Sequence, residues 1–236
     1  MLGIAVLAGC SDTVGGTAVR PMPSGAPRDL AAILPSGAEV SQAAGNPLAD
    51  SGAAVIGGID VLPDGIRDDT GATPIECLGP VSPFMRVVYE GGDVRGAGWQ
   101  EFSNYGGGQT VSSVDAGVVE FDSDAEAQRM FGAFVTRWKA CEGTTVTTAL
   151  HNSAGLELYQ KITDVTVDGA VLSATVVNSD NQGDATFPTE RAVGLADDCV
   201  VDVDVAVTAG TPAQQSASGR AVKLVATMRA KVAGAR

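Results

Sequence analysis

The sequence predicts an α+β fold: an antiparallel sheet with helices packed on one face, a single domain behind an N-terminal tether. Three observations predict it. Short apolar stretches with alternating or β-branched character fill the middle and last third of the 236 residues. One strongly amphipathic helix pattern interrupts them near residue 123, and a second closes the chain. The strand candidates follow one another through glycines and tight turns, as a meander does, with helices before, within and after them.

The elements follow in order. Nine of the 11 prolines fall at or before Pro83, so regular structure is least favoured early. Residues 11–28 carry almost no bulky apolar side chain and read as a flexible tether. Asp29 can cap a short turn bearing Leu30, Ile33 and Leu34, which Pro35 ends. Ser36-Gly37-Ala38-Glu39 has the spacing of a capping box, opening a second short helix that Gly45 can close. Residues 46–71 read as loop, apart from Val55-Ile56 and residues 59–62. Residues 87–89, 98–102, 110–114 and 117–121 are short strand candidates separated by glycines, with Gly106-Gly107-Gly108 as a turn.

Ser123-Asp124-Ala125-Glu126 again spells a capping box, with acidic residues at the positive end of the helix dipole. Ala127, Phe131, Phe134, Trp138 and Cys141 then form one apolar stripe that Gly143 ends. Strands are predicted at 144–150, 156–167 and 170–178, with Asp168-Gly169 as a tight hairpin turn. Two more follow at 190–196 and 199–208. In the last, Val201, Val203, Val205 and Val207 share one face and Asp202 and Asp204 the other, the pattern of a sheet with one dry and one wet side. Thr211-Pro212 starts the closing helix, whose Ala217, Ala221, Leu224, Met228 and Val232 recur at helical spacing. Arg229 and Lys231 suit its negative end.

Composition excludes several functions. A net charge of −13 leaves no basic stripe to displace counterions from nucleic acid. His151 is the single histidine, which removes multi-histidine metal sites. Its surroundings read as an exposed turn, and no Gly-x-Ser-x-Gly elbow accompanies it, so a serine triad is not expected. Asp202 and Asp204 are two apart on one strand face, where solvation accounts for them without glycosidase chemistry. Asp197-Asp198 reads as a turn. Asp180 to Asp184 imitates part of a calcium loop, but its twelfth position is Arg191 where a bidentate Glu is needed. No catalytic residue, cofactor or metal is expected.

Leu7-Ala8-Gly9-Cys10 resembles a bacterial lipobox, placed between a short apolar stretch and a polar segment. Residues 1–10 thus read as a lipoprotein signal segment with Cys10 as the lipid attachment point. It reads as incomplete, because no Lys or Arg precedes the apolar stretch, which is itself short. Multiple acyl chains anchor stably, each buried CH₂ contributing about 0.8 kcal/mol. No apolar run approaches the roughly 20 residues of a spanning helix. The expected location is the extracytoplasmic face of the cell membrane.

Four stretches carry a family resemblance: Ile75-Glu76-Cys77-Leu78-Gly79; Arg137-Trp138-Lys139-Ala140-Cys141-Glu142-Gly143; Cys199-Val200-Val201-Asp202-Val203-Asp204-Val205; and Met228-Arg229-Ala230-Lys231-Val232. In this order and spacing the chain resembles the PknH-like extracellular sensor domains of mycobacteria, and lipoproteins carrying that domain alone, over residues 29–234. The resemblance implies an α+β domain outside the membrane, stabilised by disulfides, with a cleft for an unidentified ligand. It implies no phosphoryl transfer, since the kinase motifs are missing. It also implies two disulfides, but the places of the second pair hold Thr189 and Val205 or Val207. Counted against that pattern, the bridge is assigned to Cys77 and Cys141, closing a loop worth about 4 kcal/mol in the chain-entropy model. Cys199 is then free and buried; the rival pairing is Cys141 with Cys199.

Binding chemistry in this chain is aromatic. Tyr89, Trp99, Phe102 and Tyr105 lie in a glycine-rich region, with Tyr89, Trp99 and Tyr105 as candidate cleft residues for an amphipathic or sugar-like ligand. The first reading is therefore a membrane-anchored, sensor-like module for a small or lipid-like ligand. The alternative is a structural or interaction lipoprotein with an envelope protein partner and no small-molecule ligand. A lined pocket of several hundred Å³ favours the first, and a large exposed apolar patch the second.

Overall fold

The computed structural model describes residues 28–150, 155–183, 186–208 and 219–234. Cys10, the signal segment, residues 11–27 of the tether, His151, Thr211-Pro212 and Ala217 lie outside them. Arg28, the last residue assigned to the tether, is already bound into the domain. Its Nε lies 2.8 Å from Asp198 Oδ1, and its Nη1 donates to the Val232 carbonyl at 3.0 Å. The Asp197-Asp198 turn thereby holds the start of the fold to its end.

Helices α1 (Leu30–Ile33) and α2 (Gly37–Ala44) come first. Ser36 and Glu39 form the complete capping box, and Gly45 closes α2 with φ +78°. The backbone then makes β1 (Ala49–Asp50), β2 (Val55–Gly57) and β3 (Ala72–Thr73); β2 falls at the Val55-Ile56 stretch set apart from the loop, while β1 and β3 are two-residue strands too short for a sequence pattern to reveal. Helices α3 (Leu78–Val81) and α4 (Arg86–Tyr89) follow. Residues 87–89, expected as a strand, are one helical turn because Tyr89 must face the core; packing overrides the β-branched preference. Strand β4 (Val94–Ser103) leads to β5 (Val111–Phe121), which joins two predicted strands into one. Gly117 marks no break: a Cβ there would lie 2.6 Å from Phe84 Cδ1, so the glycine is a seat for that ring.

Helix α5 (Asp124–Cys141) buries the whole predicted stripe plus Met130. Its cap is only half a box. Ser123 accepts from the Glu126 amide, but the Glu126 carboxylate turns to the Asp93 amide and to Arg129. Strands β6 (Thr145–Ala149), β7 (Glu157–Asp168), β8 (Val171–Asp180), β9 (Phe187–Ala196) and β10 (Cys199–Val207) complete the sheet, and α6 (Arg220–Gly234) closes the described chain. Lys231 does not serve the end of α6. It donates to the Leu34 carbonyl and to Glu39, tying α6 to the first two helices.

All pairings are antiparallel, in the order β1-β4-β5-β10-β9-β8-β7-β6-β3, with β2 also on β4. The α+β class and the antiparallel sheet thus stand; β6 to β10 run as a meander, but β5 lies beside β10 across a crossover and not beside β6. The helices, however, cover both faces. Val201, Val203 and Val205 pack with α1, α2 and α6, while Val200 joins the core beneath α3, α4 and α5. Gly194 permits the second layer, since a Cβ there would lie 2.4 Å from Val225 Cγ1 of α6. The expected wet face of β10 is dry: Asp202 and Asp204 are both buried.

Candidate functional site

The spacing that turns the aromatic stripe of α5 inward turns Gly132, Ala133, Thr136, Arg137 and Ala140 outward. The disulfide Cys77–Cys141, formed as assigned, ties the end of α5 to the segment before α3. Between them lies a groove of about 610 Å³, walled by Pro74, Glu76 and Cys77 opposite α5. A second hollow of about 300 Å³ shares Ala133 and Arg137 and is bounded by Val87 and Val88. Arg137 therefore stands where the two meet. It makes no ion pair among the described residues, in contrast to Arg129, which is held by Glu126. Small apolar side chains, one free guanidinium and one carboxylate, Glu76, give the groove an amphipathic character suited to a small ligand.

Behind this groove, on the inner side of α3 and α5, is a buried ionic cluster. Arg191 on β9 is 1% exposed. Its Nη1 is 2.8 Å from Asp202 Oδ1 and its Nε 3.8 Å from Asp204 Oδ2. Nη1 also donates to the Val203 carbonyl, Nη2 to Gly79 and Nε to Pro80. The guanidinium lies over the Trp138 ring at 5.5 Å. Asp202 Oδ2 accepts from the Phe84 amide at 3.1 Å and the Tyr89 hydroxyl at 2.8 Å. Phe84 holds φ at +44°, an uncommon conformation for a bulky residue, and its ring stacks against Trp99.

Register makes the cluster a row. Asp204 pairs directly with Arg191 on one side and Asp115 on the other, and Asp115 pairs with Glu101. Like charges facing one another across strands repel. Burial, then the neighbouring Glu101, pushes the Asp115 carboxyl up to about 6; burial, against the pull of Arg191, pushes Asp204 up to about 8. Carboxyls displaced in this way occur at functional sites and in structural ion-pair networks alike. The same face continues as a neutral chain of hydrogen bonds. Thr148 donates to Gln160, Gln160 to Asn178, and Asn178 to Thr189. No group of three or more His, Cys, Asp or Glu side chains among the described residues is placed to hold a metal.

The structure does not bring the candidate aromatics together. Tyr89 is buried with its hydroxyl on Asp202, Trp99 is half-buried with Nε1 on the Val61 carbonyl, and Tyr105 is 77% exposed on the β4–β5 turn. Phe102 belongs to the opposite core. Asp180 caps its own turn through the amides of Gln182 and Gly183. Cys199 is a free, buried thiol whose pKa burial and the neighbouring Asp198 push up, so it remains protonated. Sequence reasoning missed the row because Asp115, Arg191 and Asp204 become neighbours only through strand register. The outward face of α5 was legible as the complement of the stripe. The exposed large apolar side chains are Ile56 on β2, Val167 on β7, Val177 on β8, Val222 on α6, and Tyr105 and Leu150 in loops.

Three comparisons bear on this arrangement. A family model described as the PknH-like extracellular domain matches residues 26–231. The crystal structure of the extracellular domain of PknH from Mycobacterium tuberculosis superposes with a TM-score of 0.70 at 20% identity, covering 87% of this chain and 95% of that one. At that identity the likeness concerns the fold. The comparison with curated proteins gave no match.

Proposed function

The chain belongs to the family of PknH-like extracellular domains, and from that premise we propose that it is a membrane-anchored, extracytoplasmic sensor module without catalysis of its own. Its ligand is a small amphipathic or lipid-like molecule with an anionic group. The observation that carries this reading is the unpaired Arg137 at the junction of two apolar hollows in a chain of net charge −13. An anion would pair with Arg137 while an apolar portion lies along Gly132, Ala133 and Ala140 beside the disulfide. Anchoring rests on the Leu7-Ala8-Gly9-Cys10 motif, at which acyl chains on Cys10 would supply the attachment.

The test uses cis-parinaric acid as a fluorescent probe. Arg137→Glu should weaken its binding at least tenfold, and Ala133→Trp should block it by filling the groove. Equal binding by the wild type and both variants would overturn the site. For the anchor, a clickable palmitate analogue fed to the native host should label the wild type and not Cys10→Ala. Absence of label on the wild type would refute the lipid attachment.

A further inference from the structure

The row, buried at Arg191, Asp202 and Asp204 and half-buried at Asp115 and Glu101, reaches the inner side of α3 and α5, and it shares a short piece of chain with the groove. Cys77 lines the groove, and the next residues form α3, whose Gly79 and Pro80 carbonyls are held by Arg191. The segment after α3 ends at Phe84, pinned by its amide to Asp202. Arg191 is thus one cation with two tasks. It fastens α3, the segment that follows the groove residue Cys77, and it neutralises a row of carboxylates that outnumbers it.

The charges facing the row can be named element by element. Strand β4 contributes Glu101, β5 Asp115, β10 Asp202 and Asp204, and β9 Arg191; α4 contributes Tyr89. Helix α5 contributes the neutral Trp138 ring, and β7 and β8 contribute the neutral Gln160 and Asn178. Asp180, farther along β8, is engaged in its own turn. Four carboxylates therefore meet one guanidinium among the described residues. Asp204 Oδ2 is 3.8 Å from Arg191 Nε, whose hydrogen is donated to Pro80 at 3.2 Å. A protonated Asp204 leaves that hydrogen to Pro80, while an ionised Asp204 competes for it.

We propose that the Asp115–Asp204 pair is a proton-operated latch: while it holds a proton, Arg191 and Asp202 keep α3 and the Ser82–Phe84 segment against the sheet, and proton loss loosens both. The purpose of the latch, regulating the groove, rests on the binding reading above; the latch itself needs no ligand. The left-handed Phe84 gives the loosening a direction, because a strained backbone relaxes when its tie weakens. Burial and mutual repulsion shift Asp115 and Asp204 in the sense the latch requires.

The decisive measurement is a carboxyl-detected NMR titration of the wild-type protein, with amide exchange at Phe84 followed over the same range. The Asp115 and Asp204 carboxyls should titrate above about pH 5. Phe84 protection, corrected for the intrinsic rate, should fall at least tenfold between about pH 6 and pH 9. In Asp204→Asn that fall should be much reduced. Ordinary carboxyl titration, or Phe84 protection flat with pH in the wild type, would overturn the latch, and both are read without any variant. Parinarate binding distinguishes the two readings: a working latch with no binding removes the groove ligand alone, and binding with no latch removes this proposal alone.

Discussion

Arg191 shows how far a single side chain can reorganise a sheet face. Burying a charge is costly unless it is paired and hydrogen-bonded. This guanidinium has both: Asp202 at 2.8 Å, three backbone carbonyls and the Trp138 face. Removing it would leave Asp202 buried without its counter-charge, and Asp204 and Asp115 with nothing to offset their repulsion. Arg191→Met should therefore cost about 3–5 kcal/mol, the range for breaking a buried pair from one side. Urea unfolding followed by fluorescence would show it. A loss below about 1 kcal/mol would mean that the carboxylates simply take up protons at no further cost. Asp204→Asn should be far milder, since it removes a charge that the fold already resists.

At the level of elements, what could be read depended on whether a signal is local. Helix α5 and the capping box of α2 are written within a few residues, and both form as expected. The long strands were legible by alternation, with ends displaced by a few residues. β1 and β3 were not, because two-residue strands exist only through their partners β4 and β6. The covering of the Asp202 face by α3, α4 and α5 was hidden because alternating Val and Asp on β10 resembles a half-wet strand unless Arg191 is known to stand opposite. The disulfide sits where the local and the distant meet. It joins α5 to the segment leading into α3, and so holds both groove walls. Replacing Cys77 and Cys141 by Ser should cost about 4 kcal/mol, the entropy of closing a loop of this length. It should also weaken parinarate binding. Calorimetric unfolding of the double variant beside the wild type checks the first, and probe titration the second. Unchanged affinity would place the groove's integrity in α5 alone.

The molecule as a whole carries two opposed sets of carboxyls, and their balance fixes how its stability responds to pH. Glu39 is held low chiefly by its hydrogen bond from Lys231, Asp68 by Thr70 and Glu126 by Arg129. These groups add stability above their unfolded values, and that stability is lost as pH falls through the lower folded values. Asp115, pushed up to about 6, and Asp204, pushed up to about 8, work in the opposite sense. Between the ordinary aspartate value of 3.8 and those folded values, the native state binds more protons than the unfolded chain. Their contribution to stability therefore declines as pH rises through that window and is fully spent above about 8. The net charge of −13 adds self-repulsion in the same direction, and more so at low salt. The stability maximum should lie on the acid side of neutrality, near pH 5, with a measurably lower melting temperature at pH 8. Scanning calorimetry across about pH 4 to 9 at fixed ionic strength tests this. Asp204→Asn should flatten the alkaline limb without moving the acid one, because the acid limb belongs to the helix-end and loop carboxylates. A melting temperature that climbs steadily from pH 5 to 8 would mean that the buried row is ionised as readily in the fold as outside it. The two core layers would then be held by packing alone.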